Sequence, residues 1–396
     1  MKIISVVGAR PNFMKIAPFI RAVEKHNAGL VSGSGERVEH ILVHTGQHYD
    51  HQMSQTFFDA LNIPPADIHL EVGSGSHAEQ VGNTMIAFEK VVLDKKPDWV
   101  VVVGDVNATL ACSVTAKKLH VKCCHIEAGL RSGDLTMPEE INRLVTDRLS
   151  DLLLTPDTMA VENLKKEGAH DSRIGFVGNI MIDTLEAQRE KAAALTLKGV
   201  LKENLLLEET VIPAVEEENY AVMTLHRPSN VDHKEIFTAL IDFLCDEVAP
   251  AMPLLWPIHP RARKQLELFG LWDKVLATPR LVLLRPIGYH DMLRLNMSAK
   301  IFLTDSGGLQ EECTVLGTSC LTMRWNTERP ITLWEHGGAS VLVGNNVERI
   351  REEYKNALVR GRKPVKPELW DGHTAERCLE AIVLSNDFTS PEFVKK

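Results

Sequence analysis

Short apolar runs, each followed by a segment with helical spacing, recur along this chain, and that alternation restricts its fold more than any other feature. The runs fall at residues 3–7, 41–43, 99–103, 121–126, 152–154 and 174–177, and again at 220–224, 254–257, 281–284, 301–303, 320–323 and 340–343. Most are apolar throughout, as strands covered by helices on both faces must be, so the expected sheets are parallel. Residues 188–218 separate the two series; they are of mixed polarity, contain Lys198-Gly199 and end in Glu216-Glu217-Glu218, and they read as a linker region. The expected architecture is α/β, with two Rossmann-like domains at 1–187 and 219–372 facing a central cleft. With 396 residues the chain is long enough for two cores.

Composition narrows the function mainly by exclusion. A net charge of -9 without a block of Lys and Arg argues against a nucleic-acid or anionic-membrane partner. No apolar run approaches a membrane span, and the first is too short for a signal-peptide core and is soon followed by Arg10, so a cytoplasmic protein is expected. Seven cysteines lack metal-ligand spacing, and Cys123-Cys124 falls in an apolar run, which favours reduced thiols and no metal centre.

The segment AKIFLTDSGGLQEECTVLGTSCLTMRWNTERP, residues 299–330, holds the densest chemistry. An apolar strand runs into Ser306-Gly307-Gly308, and helical spacing follows through Leu309, Cys313 and Leu316. The first amides of a helix have no internal partner and carry the positive end of its dipole, and glycine lets a phosphate approach them. Glu311 and Glu312, one turn in, suit sugar hydroxyls, while Arg324 and Arg329, with Thr327-Glu328 between them, can close over a diphosphate. Ser-Gly-Gly alone also fits a helix cap with glycines needed for close packing. Its combination with Glu-Glu and Glu-Arg-Pro favours nucleotide binding.

Ligands of parallel sheets bind beyond the carboxyl ends of the strands, so the polar residues there are the remaining candidates. Arg10 and Lys15 follow the first strand, either toward a cleft or as solvated helix-start charges. Gly46-Gln47-His48-Tyr49-Asp50-His51 follows the second, and Asp105 and Glu127 end two further apolar strands. Two carboxylates at one rim are expected to repel, which raises the pKa of at least one and separates acid from base. Glu139 and Glu140 begin a helix after Pro138, where acids commonly offset the dipole, and Asn142-Arg143 continue it toward Asp147. His226-Arg227 ends the first strand of the second series, and His259 and Arg261 repeat the theme one strand on. Gly73-Ser74-Gly75-Ser76-His77-Ala78 matches the dinucleotide fingerprint G-x-G-x-x-A, but it lies in the wrong unit of the sheet and has no following ribose-binding acid, so it reads as an exposed polar turn.

Taken together, VVGARPNFMKIAP, HTGQHYD, VVGDVNATLA, HIEAGLRSGDLTMPEEINR, TLHRPSN, LTDSGGLQEE and NTERP resemble the non-hydrolysing UDP-N-acetylglucosamine 2-epimerases over nearly the whole chain. The resemblance implies a GT-B-like pair of domains, a terminal helix within 373–396 returning to the first domain, a homodimer and no redox cofactor. It implies that Arg10, Lys15, Asp105, Glu127, Glu139 and His226 serve catalysis or hold the diphosphate and sugar, and that Ser306, Gly307, Gly308, Glu312 and Arg329 bind UDP. The implied reaction is epimerisation at C2 of a UDP-N-acetylhexosamine, by anti elimination of UDP to a glucal and re-addition. Epimerisation of a related UDP-sugar such as a diacetamido uronic acid, GT-B glycosyl transfer, and a catalytically inert UDP-sugar sensor are the alternatives. The stretch 46–50 departs from the AQHR pattern of relatives with a regulatory nucleotide-sugar site.

Overall fold

The computed structural model describes residues 1–8, 10–30, 37–46 and 63–387, apart from the side chains of residues 10, 11, 386 and 387. The chain forms two compact units, Met1–Ala187 with Pro367–Lys396 and Gln188–Lys366.

In the first unit β1 (Lys2–Val7), β2 (Glu39–His44), β3 (Ile68–His69), β4 (Trp99–Val103), β5 (Lys122–Ile126), β6 (Leu152–Thr155) and β7 (Ile174–Phe176) form one parallel sheet in the order β3-β2-β1-β4-β5-β6-β7. The second unit has β8 (Ala221–Thr224), β9 (Leu254–Pro257), β10 (Leu281–Leu284), β11 (Ile301–Thr304), β12 (Ser319–Thr322) and β13 (Ser340–Leu342), in the order β10-β9-β8-β11-β12-β13. Every expected apolar run has become a strand. β3 adds a two-residue edge, pairing Ile68 with Val43 and His69 with His44. An edge strand needs no continuous apolar run, which explains its faint sequence signal.

Burial on both faces explains the apolarity of the central strands. In the second unit Ala221 and Met223 pack on one face with Trp256, Leu303, Leu266 and Ile350, while Tyr220 and Val222 pack on the other with Leu255, Phe302, Leu201 and Cys313. In the first, Ile4, Val6, Val100 and Val102 pack against Phe88, Val92, Cys112 and Ala116 of two helices. Residues 188–218 carry structure of their own: the helix Leu197–Asn204 sends Val200 and Leu201 into the second core, and Leu205 bridges to Leu284. The terminal helix Thr374–Asp387 belongs to the first unit, where Asp183 accepts the N–H groups of Thr374 and Ala375 at 3.1 and 2.7 Å and the buried Trp370 donates to Pro156 O at 2.9 Å. The turn before the helix His77–Lys95 is a capping box of Ser76 with Glu79, largely exposed, as expected of a polar turn rather than a dinucleotide loop.

In both sheets the order of strands reverses after the first of its series, between β1 and β4 and between β8 and β11. Loops leaving those carboxyl ends diverge to opposite faces, and the crevice between them is where such sheets bind ligands.

Candidate active site

In the first unit the crevice is lined by acids held by cations. Lys15, in the helix Arg10–Gly29, is only 6% exposed, and its ammonium bonds the carboxylate of Glu127 just past β5. Lys15 is therefore not a solvated helix-start charge. Asn12 braces the same turn, donating to Val103 O at 2.8 Å and accepting from Gly8 N–H at 3.2 Å. Gly104 lies beneath this pair with φ +69, and a Cβ on it would stand 3.1 Å from Lys15 Nζ and 3.4 Å from Glu127 Oε2. Glu127 itself takes φ +73, a left-handed conformation that costs a residue with a side chain on the order of 1 kcal/mol or more. Its N–H bonds Leu154 O at 3.0 Å, so the surrounding sheet holds the strained residue.

Asp105 ends the adjacent strand and pairs with the buried guanidinium of Arg143 from the helix Pro138–Leu149. Asn142 of the same helix donates to Asp105 O at 2.8 Å. Asp105 and Glu127 thus share a rim as expected, but the expected mutual repulsion is replaced by a separate cation for each. Of the two acids at the helix start, Glu139 is exposed and Glu140 is buried. Glu140 bonds Arg143 and accepts from Ser132 and Gly133 N–H at 3.0 and 2.9 Å; burial works against its charge, yet these donors hold it below the ordinary glutamate range. Beneath them the two nitrogens of His125 face Asp147 Oδ1 at 2.6 Å and Gly104 O at 2.9 Å, and Arg131 lies 2.7 Å from Asp147 Oδ2. The side chain of Arg10 and the loop 47–51 lie outside the described residues.

The second unit reverses the pattern, with arginines held by acids. Ser306 precedes the helix Gly307–Leu316 but makes no side-chain cap bond to it, so the bland capping role fails and the first amides are not taken by a serine cap. A Cβ on Gly307 would stand 2.8 Å from Glu328 Oε1, 3.0 Å from Arg329 Nη1 and 3.4 Å from Arg324 Nη1, which places two guanidiniums and a carboxylate at the helix start. Gly308 has open space at its Cβ position. Arg324 Nη2 lies 2.7 Å from Glu328 Oε2, Arg329 also contacts Glu328, and Arg329 Nε lies 2.9 Å from Glu311 Oε1. Glu312 is buried beside Tyr289 and Asn296; burial pushes its pKa up to about 7, with Tyr289 and Asn296 pulling the other way and the charge of Glu311 adding to the rise. Its Oε2 finds no well-placed donor among the described residues, which suits it to an incoming hydroxyl.

His226, past β8, places Nδ1 2.8 Å from Oδ1 of Asp305, whose other oxygen accepts the N–H groups of His226 and Arg227 at 3.0 and 2.8 Å. Burial opposes the charge on Asp305, but the imidazole and these N–H donors keep its pKa below the usual aspartate value. His259 accepts from Arg261 N–H at 3.1 Å and its ring centroid lies 5.5 Å from that of His226, while the Arg261 side chain pairs with Asp232 at the surface. Sequence reasoning named Arg143 without giving it a role and overlooked Asp305. Asp305 ends an apolar strand as Asp105 and Glu127 do, so the rule that found those acids also covered it.

Two parallel sheets whose strand order reverses, one with an acid-rich crevice and one with an arginine-lined helix start, define the class as a two-unit α/β protein with Rossmann-like sheets. The family model described as UDP-N-acetylglucosamine 2-epimerase matches residues 33–383. The chain is 37% identical over 383 residues to the UDP-N-acetylglucosamine 2-epimerase of Methanocaldococcus jannaschii, covering 96% of this chain and 99% of that one. It is 36% identical to the UDP-2,3-diacetamido-2,3-dideoxy-D-glucuronate 2-epimerase of Pseudomonas aeruginosa, covering 90% and 92%. The Methanocaldococcus jannaschii UDP-GlcNAc 2-epimerase in complex with UDP-GlcNAc and UDP superposes with a TM-score of 0.84 at 37% identity, over 97% of this chain and all of that one. The chain belongs to the UDP-N-acetylglucosamine 2-epimerase family and, with it, to the isomerases. The resemblance noted in the sequence motifs and the family found here are the same.

Proposed function

We propose that the protein interconverts UDP-N-acetylglucosamine and UDP-N-acetylmannosamine by anti elimination and re-addition of UDP. The observation that most supports this is the convergence of Arg324 and Arg329 on Gly307, one turn from the buried Glu312: a diphosphate seat beside a hydroxyl acceptor. C2 of the sugar has no neighbouring carbonyl to acidify its proton, so loss of UDP from C1 must assist its removal. The helix amides and arginines stabilise the departing diphosphate as its charge grows. Asp105, Glu127 and Glu139 are the candidates to remove and return the C2 proton on opposite faces, with Lys15 and Arg143 holding two of them in place. His226, oriented by Asp305, is the further acid–base candidate, and Arg10, Ser306 and Gly308 complete the set assigned to the substrate.

The diacetamido uronic acid epimerase of Pseudomonas aeruginosa is nearly as similar in sequence, so a related UDP-sugar is the second reading. Proton NMR of the purified protein with a panel of UDP-sugars decides between them, and turnover that required an acceptor sugar would instead indicate a transferase. A cytoplasmic homodimer supplying cell-surface polysaccharide synthesis completes the proposal. Support for the dimer comes from exposed apolar side chains at helical spacing, Ile86 and Leu93 on one helix and Ile141 and Val145 on another. No helix among the described residues is long and apolar enough to cross a membrane.

A further inference from the structure

We propose that Glu328 is a built-in competitor for the diphosphate: its carboxylate occupies the anion seat at Gly307 and must leave when a nucleoside diphosphate enters. The inference rests on the nucleotide-site reading above. Glu328 Oε1 stands 2.8 Å from the point where a Cβ of Gly307 would be, with Nη1 of Arg329 and of Arg324 at 3.0 and 3.4 Å from the same point. An anion bracketed by two guanidiniums at a helix start has the surroundings that a phosphate needs, and one space cannot hold both.

Charge leads to the same conclusion. Arg324 and Arg329 face Glu328 and Glu311, so two positive groups meet two negative ones, and all four residues are buried. A diphosphate brings at least two further negative charges. If Glu328 stayed between the arginines, it would lie against the phosphate oxygens where little water can screen the repulsion. Residues 323–329 have no helix or strand to fix them, so the carboxylate can swing away without dismantling an element. In the free protein Glu328 keeps the arginines paired and preset. On binding, the diphosphate must displace this carboxylate, which lowers affinity for a diphosphate while leaving a neutral nucleoside unaffected and so eases release of UDP.

Calorimetric titration of the full-length protein tests this with UDP, inorganic pyrophosphate and uridine against wild type, Glu328→Gln and Arg329→Ala. Glu328→Gln is expected to bind UDP and pyrophosphate roughly tenfold more tightly, the scale of one charged hydrogen-bonded contact, and to bind uridine unchanged. UDP affinity equal to or weaker than wild type in Glu328→Gln, or equal tightening of uridine, would overturn the proposal. Unchanged UDP affinity in Arg329→Ala would instead refute the underlying nucleotide site. A crystal structure of the wild type with UDP gives a check free of any variant: Glu328 turned away from the arginines is expected, and Glu328 still bridging both of them would contradict it.

Discussion

The two crevices arise from the same strand order yet carry opposite chemistry. In the first unit crevice carboxylates are paired with Lys15 and Arg143, and in the second Arg324 and Arg329 are paired with Glu328 and Glu311; the proposed function makes the carboxylates the working groups of the one and the arginines those of the other. The difference teaches that the topology supplies only a place where loops diverge, and that the residues one or two positions past each strand decide what that place does. Buried ion pairs recur in both because a buried charge left unpaired is far more costly than a paired one. The pairing also keeps each side chain in one orientation before substrate arrives.

The largest effect should come from the acid crevice. Asp105→Asn and Glu127→Gln keep the shape but remove a base, so turnover should fall by roughly 10² to 10⁴, while UDP affinity changes much less. A matching loss of UDP affinity would erase the contrast between the units, and near-normal turnover in both variants would move the chemistry to Glu139 or His226. Next in size is Arg329→Ala, which should weaken UDP binding by roughly tenfold or more, because a charge-assisted contact is lost whether or not the sugar is attached.

A smaller effect sharpens the comparison through pH. Burial raises Glu312 from 4.5 to about 7, so its contribution to stability is complete below its unfolded pKa and is lost as pH rises through about 7. Glu312→Gln should therefore resemble wild type in thermal stability at pH 5 and exceed it at pH 8, by about 1–3 kcal/mol. Its UDP affinity should be weaker and should rise less between pH 6 and 8 than that of wild type, where the carboxylate also ionises to accept a hydroxyl. A stability difference that did not grow with pH would remove the buried-carboxyl explanation.

Fold and site were legible in the sequence to different degrees, for physical reasons. Strands buried on both faces must be apolar throughout, so β4 or β11 can be recognised locally, and only the edge strand β3 gave little signal. Residues one or two positions past a strand end were legible too, which is how Asp105, Glu127, His226 and Ser306 came forward. Partners at long sequence separation were not. Nothing near Glu127 indicates that its cation is Lys15, 112 residues away, and nothing near Asp105 singles out Arg143, because those pairs exist only once the sheet has formed. Conversely, His259 and Arg261 sit at the same strand end, yet the ring of His259 meets that of His226 while Arg261 turns to a surface pair with Asp232, since position at a rim does not fix what a side chain meets.

The most direct test of the proposed chemistry is the hydrogen at C2 of product formed in deuterated water. Removal of that proton by one protein group and its return by another that exchanges with solvent require deuterium at C2, seen as loss of the C2 proton signal by NMR. Product that retained the original hydrogen would contradict the elimination mechanism, whatever the variants did.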